Sequence, residues 1–164
     1  MNMRSLPLLL YCCAFVFACS LGEEPRKGPP AKIAVDAPAP DFQLKDIKGQ
    51  EVRLGELQGR PVLLVFATTW CPYCREEIPR IKEIYGQGRE KKLEVLNIYV
   101  NETESKVAEF ATKYALPYRV LLDKDGNVAE RYQVRGVPTL VLLDRQGKIV
   151  CYQCRNLDTM LKGL

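Results

Sequence analysis

The chain has no histidine, one tryptophan and three methionines among its 164 residues. Without imidazole there can be no Ser-His-Asp or Cys-His catalysis and no His-ligated zinc, haem or copper. Nor is there a side chain whose ordinary titration falls near neutrality. Proton transfer must therefore fall to cysteine, a carboxylate or a lysine. Charge of one sign is also lacking: 24 Lys+Arg against 20 Asp+Glu leave a net +4, dispersed along the chain, which is no footprint for nucleic acid. What the sequence does have is cysteine, seven in all, and a 47% hydrophobic composition that suits one globular domain with a real core.

The first residues read as an address. Arg4 precedes an almost wholly apolar run from Leu6 to Ala18. That run is too short to span a bilayer comfortably and fits a signal peptide over residues 1–18. It ends Val16-Phe17-Ala18-Cys19. An aliphatic and a small residue before a cysteine resemble the bacterial lipobox, which implies lipidation at Cys19 and a place in the bacterial cell envelope, facing the periplasm or extracytoplasmic space. Residues 19–36 follow as the lipidated cysteine and a tether rich in proline, glycine and charge, which cannot support a packed core. Cys12 and Cys13 would leave with the signal. Cys71, Cys74, Cys151 and Cys154 would then sit where disulfides persist.

Residues 37–164 form the expected domain. Phe42–Asp46 and Glu51–Leu54 alternate apolar with polar around Lys48-Gly49, the pattern of a hairpin. Pro61–Ala67 is a continuous apolar run, as in a strand buried on both faces. Leu93–Val100 and Thr139–Leu143 read as further strands, the latter turning at Asp144–Gly147 into a partner strand from Lys148. Helical spacing appears at Ile78, Ile81 and Tyr85, at Val107, Phe110, Ala111 and Tyr114, and at Leu157, Met160, Leu161 and Leu164. Strands alternating with helices describe an α/β fold with a mixed central sheet flanked by helices and an N-terminal β-hairpin.

The chemistry concentrates at Trp70-Cys71-Pro72-Tyr73-Cys74. The pair lies between a buried strand and a helix. Cys71 falls at the helix N-terminus, where the dipole and free N–H groups favour negative charge, with Pro72 just inside. Cys71 is thus expected to be the exposed nucleophile. Cys74, one turn on and heading the apolar stripe, is the shielded resolving thiol. Attack, mixed disulfide and internal release are the steps of thiol–disulfide exchange. Zinc would need four ligands, and the second CxxC lies too far downstream for a ribbon. Glu77, three residues after Cys74, borders the buried stripe. A carboxylate placed there is expected to be desolvated and is the candidate for handling the Cys74 proton. Pro79 falls inside the helix and should kink it.

Ala39-Pro-Asp-Phe42, the strand, the Cys71–Cys74 motif, Glu77, Pro79 and Gly136-Val-Pro-Thr139 together resemble the TlpA/ResA-type thioredoxins of the AhpC/TSA (redoxin) superfamily. These are membrane-anchored extracytoplasmic thiol–disulfide oxidoreductases. The resemblance spans about residues 38–150 and implies a thioredoxin-like fold. It also implies a cis peptide at Pro138, and a substrate groove formed by Trp70, Pro72, Tyr73, Val137 and Pro138. Val65 stands where cytosolic thioredoxins carry a buried aspartate. The resemblance further implies protein thiols or disulfides as substrates, a membrane thiol transporter as electron donor, a reductase role such as cytochrome c biogenesis, and a monomer. No metal and no cofactor beyond the redox-active Cys71–Cys74 disulfide is implied. A redox-inert peptide-binding lipoprotein and a disulfide oxidase stay open as alternatives.

The second pair, Cys151-Tyr-Gln-Cys154, is less decided. Residues three apart on an extended strand are about 10 Å apart, beyond the roughly 7 Å between Cα atoms that a disulfide allows. Either these thiols do not pair with each other, or the strand ends near Tyr152. A local structural disulfide, two unrelated thiols and an auxiliary redox pair all fit the sequence.

Overall fold

The computed structural model describes residues 33–154 and 156–162. The signal peptide, Cys19 and the tether as far as residue 32 lie outside the described residues. Seven strands make one sheet: β1 (Gln43–Asp46), β2 (Glu51–Arg53), β3 (Val62–Ala67), β4 (Glu94–Val100), β5 (Arg119–Asp123), β6 (Thr139–Leu143) and β7 (Ile149–Tyr152). Their spatial order is β2-β1-β5-β4-β3-β6-β7. The central three, β3, β4 and β5, are parallel; β6 joins β3 and β1 joins β5 antiparallel, and the outer strands β7 and β2 pair antiparallel with β6 and β1. Every residue of β3 and β6 is buried, which explains why both read as continuous apolar runs rather than alternations.

Helices α1 (Pro72–Gly88), α2 (Glu104–Lys113), α3 (Asn127–Arg131) and α4 (Leu157–Lys162) complete the fold. α1 buries Ile78, Ile81 and Ile84; each such side chain removed from water contributes about 2 kcal/mol. Tyr85, expected on that stripe, is only partly buried, and α1 continues past Pro79. The N-terminal hairpin forms as its pattern suggested. Asp46 Oδ1 accepts the N–H groups of Lys48 and Gln50, and Gly49 supplies the positive φ of the turn, +79°.

Besides a 3-10 turn at Leu54–Leu57, two elements escaped the sequence reading. β5 carries only three apolar residues, too few for a period to show. α3 is a single turn, held because the Asp123 carboxylate accepts the N–H groups of Val128 and Ala129.

One boundary moves. Ile33–Asp36, assigned to the tether, belong to the domain. Ile33 packs on the core, and the Asp36 N–H donates to Ile149 O at 2.8 Å while Ile149 N–H returns to Ala37 O. Backbone pairing with an edge strand outweighs the polar composition of the segment.

Candidate active site

β3, β4 and β5 end together at Ala67, Val100 and Asp123, and β6 begins beside them at Thr139. The open pole at the carboxyl ends of parallel strands is where α/β sheets place their chemistry. Here β3 hands over to α1 through Thr68, Thr69 and Trp70. Cys71 is the N-cap of α1, with Pro72 at its first position, and its Sγ accepts the Cys74 N–H at 3.3 Å. A thiolate formed on Cys71 is therefore met by a helix N-terminus and a backbone donor.

Both cysteines are free thiols and both are buried. For Cys71 this corrects the expectation of an exposed nucleophile: it is only 4% accessible. The loop ahead of β6 covers it, and its thiol donates to Val137 O at 3.5 Å. The outward positions go to its neighbours, Trp70 at 64% and Tyr73 at 70%. The Val137–Pro138 peptide is cis, as the resemblance implied, and the Thr139 hydroxyl braces the loop by donating to Gly136 O at 2.7 Å.

Cys74 is differently placed. Burial pushes its thiol from 9.0 up to about 12, the Cys71 thiol beside it adds to the rise, and a Thr68 backbone hydrogen bond and Arg75 oppose it. The two sulfurs thus differ in setting: Cys71 sits at the helix cap, and Cys74 is held protonated in the core.

Glu77 lies at the edge of a groove that it shares with Arg80, Val137, Pro138, Gln153 and Cys154. Its carboxylate is 24% exposed and hydrogen-bonded to Arg80 Nη1 at 2.8 Å. The spacing from Cys74 gave no sign of this ion pair, and the side chain is less desolvated than expected because the groove opens beside it.

The second cysteine pair is a disulfide, Cys151–Cys154, with Cα atoms 5.5 Å apart. β7 ends at Tyr152, and Gln153 turns through φ +54°, which shortens the span an extended strand would impose. Cys154 N–H then donates to Leu140 O.

The AhpC/TSA family model matches residues 35–152. The chain belongs to the AhpC/TSA family. Among its relatives are two proteins named thiol-disulfide oxidoreductase ResA. The one from Bacillus thuringiensis subsp. konkukian is 32% identical over 147 residues, 90% of this chain and 83% of the relative. The one from Halalkalibacterium halodurans is 37% identical over 112 residues, 68% of this chain; the match spans 64% of that relative's length, just under two thirds. Among solved structures, the thioredoxin domain of a thiol-disulfide oxidoreductase from Bacteroides vulgatus superposes with a TM-score of 0.73 at 26% identity, covering 80% of this chain and 98% of that one. This AhpC/TSA-family chain has a thioredoxin-like fold and is a thiol–disulfide oxidoreductase.

Sequence reasoning missed a group that holds the active-site loop of this AhpC/TSA-family enzyme in place. Glu102, just beyond β4, is buried, its side chain 3% exposed and paired with Lys106 at 2.9 Å. Its two oxygens accept the Thr69 N–H at 2.7 Å and the Thr69 hydroxyl at 2.6 Å. Arg75 Nη1 donates to Thr69 O from the other side. Thr69 is thereby fixed on three sides, and Trp70 and Cys71 follow from a rigid point. No spacing or motif links residues 69 and 102; only the β3–β4 pairing brings them together.

Proposed function

We propose that this oxidoreductase is a membrane-tethered reductase of protein disulfides in the bacterial cell envelope, lipid-anchored through Cys19. A cysteine pair in which Cys71 caps a helix and Cys74 is held as a protonated thiol carries this reading. Cys71 attacks a substrate disulfide to give a mixed disulfide and releases one substrate sulfur as a thiolate. Cys74 then ionises and attacks Cys71 Sγ, closing the Cys71–Cys74 disulfide and releasing the second substrate sulfur. The substrate is reduced by two electrons and the enzyme is oxidised by two. Trp70, Pro72 and Tyr73 receive the substrate chain on one side of the sulfurs, and the Val137–Pro138 backbone on the other. The disulfide of an apocytochrome c, reduced to thiols before haem attachment, suits this role, and a membrane thiol transporter suits the re-reduction.

The proposal is tested by trapping. Cys74→Ala in whole envelopes should accumulate mixed disulfides through Cys71. Equilibration of the parent with a glutathione buffer should place its potential below that of the pool. A potential well above it would reverse the direction and make the protein an oxidase; absence of any trapped adduct would leave a binding module.

Glu77, at the groove edge, is proposed to exchange the Cys74 proton with solvent. Glu77→Gln is then expected to slow Cys74-dependent release about tenfold and Cys71 attack hardly at all. Superimposable pH–rate profiles for variant and parent would refute the role.

A further inference from the structure

The chain between β3 and α1 is held unevenly. The backbone bonds of Cys71 are long: its N–H donates to Thr68 O at 3.4 Å, and its carbonyl accepts the Arg75 N–H at 3.3 Å. Its sulfur makes only the weak bonds of which a thiol is capable, to Val137 O and from the Cys74 N–H. Trp70 is largely exposed and takes little support from the core. Thr69, by contrast, is buried and bonded to the Glu102 carboxylate at 2.6 and 2.7 Å. Bonds to an ionised group are roughly twice as strong as neutral ones. The position of Cys71 is therefore set from Thr69 more than by contacts of its own.

The fold goes to some length to deliver that carboxylate. β4 ends at Val100, and Asn101 then turns through φ +54°. The Asn101 N–H donates to Asp123 O at the end of β5, at 2.9 Å. A side chain at Gly126 would put its Cβ 2.9 Å from Asn101 Oδ1, so the neighbouring loop leaves room for the turn. Glu102 follows, and its carboxylate meets three donors: the Thr69 N–H, the Thr69 hydroxyl and the Lys106 ammonium. A buried carboxylate adds little to stability that an apolar pair of the same volume would not. What it adds is direction. Its two oxygens fix the backbone and the side chain of one residue together, while Arg75 holds the Thr69 carbonyl at 3.1 Å.

We infer that Glu102 is a positioning residue for the first step of exchange: acting through Thr69, it aims Cys71 Sγ at the incoming disulfide. It touches no substrate and moves no proton. In that step the Cys71 thiolate forms a bond to one substrate sulfur, the substrate S–S bond breaks, and the other sulfur leaves as a thiolate with the bonding pair. The inference rests on the Cys71 attack of the proposed function and adds the group that aims it. A misplacement of about 1 Å can cost on the order of a hundredfold in rate, so the loss of one restraint among several is expected to show clearly.

The reduced full chain mixed with an aryl disulfide such as Ellman's reagent reports this step as release of the first thionitrobenzoate. A parent that releases none would refute the Cys71 attack itself, independently of Glu102. Glu102→Leu is expected to slow the release about tenfold. In Glu102→Gln the amide oxygen can accept the Thr69 N–H while the amide NH2 donates to the Thr69 hydroxyl oxygen, so this variant is expected to come within about twofold of the parent. Trp70, the single tryptophan, follows Thr69 directly, and its fluorescence anisotropy should fall in Glu102→Leu but not in Glu102→Gln. Thr69→Val is expected to slow the release about threefold in the parent and not at all in Glu102→Leu. The inference is overturned if folded Glu102→Leu keeps the parent's rate or the parent's anisotropy, or if the Thr69→Val and Glu102→Leu effects multiply. It also fails if Glu102→Gln is as slow as Glu102→Leu, since charge and not the hold on Thr69 would then be the cause. Thr69→Val keeps the shape of the side chain, and an unchanged rate in that variant overturns the inference even if Glu102→Leu does not fold.

Discussion

Cys74 couples the stability of the reduced protein to pH. Its thiol is neutral in the folded protein up to about pH 12, whereas the unfolded chain ionises it near 9.0. Below pH 9 both states carry the proton and the stabilisation is complete. As pH rises from about 9 towards 12 the unfolded state loses the proton first, so stability falls through that window. Tyr99 and Tyr118, also raised by burial, act in the same direction. Urea titrations of the reduced protein should therefore show a steeper alkaline loss for the parent than for Cys74→Ser, in which the tyrosines remain. Equal slopes up to pH 11 would remove Cys74 from the effect. At this scale the sequence was legible where a residue carries its own chemistry. Cys71 and Cys74 could be found from their spacing, and Pro138 from the family resemblance. Glu102 left no signal, because its partner Thr69 is far away in sequence.

The turn after β7 is where an element, rather than a residue, decides the chemistry. Strand geometry argued against a Cys151–Cys154 bond only while the strand was assumed to continue; its end at Tyr152 makes the bond possible. The closed loop is short, so it restrains little of the unfolded chain and is worth roughly 2 kcal/mol. Replacing both cysteines by alanine is expected to lower stability by about that amount and leave turnover and the Cys71–Cys74 potential unchanged. A shifted potential would instead make the pair a redox partner of the first. Other elements were legible in proportion to their burial and length. The all-buried β3 and β6 and the three-turn stripe of α1 stood out. β5 did not, since its place in the sheet depends on pairing with β4 and β1 rather than on a pattern of its own.

The molecule as a whole has two poles. Cys71, Cys74 and the Pro138 loop occupy the end of the sheet where β3 finishes. The segment around Asp36–Ala39 is paired with Gly147 and Ile149 at the end where β3 begins. Removing residues 1–32 should therefore leave a folded domain with full exchange activity in solution. Removing residues 1–41 strips the pairing with β7 and the Tyr132–Pro40 hydrogen bond, and should lower the melting temperature by several degrees, read by calorimetry; an unchanged melting temperature would mean that the segment is not part of the folding unit. The six residues of β3, at about 3.3 Å each, set the poles roughly 20 Å apart. A chain held by its N-terminus would thus present its sulfurs outward, on the side away from whatever surface holds it. Partners approaching from the aqueous space would then meet the sulfurs first, and a membrane-embedded donor would face the opposite pole.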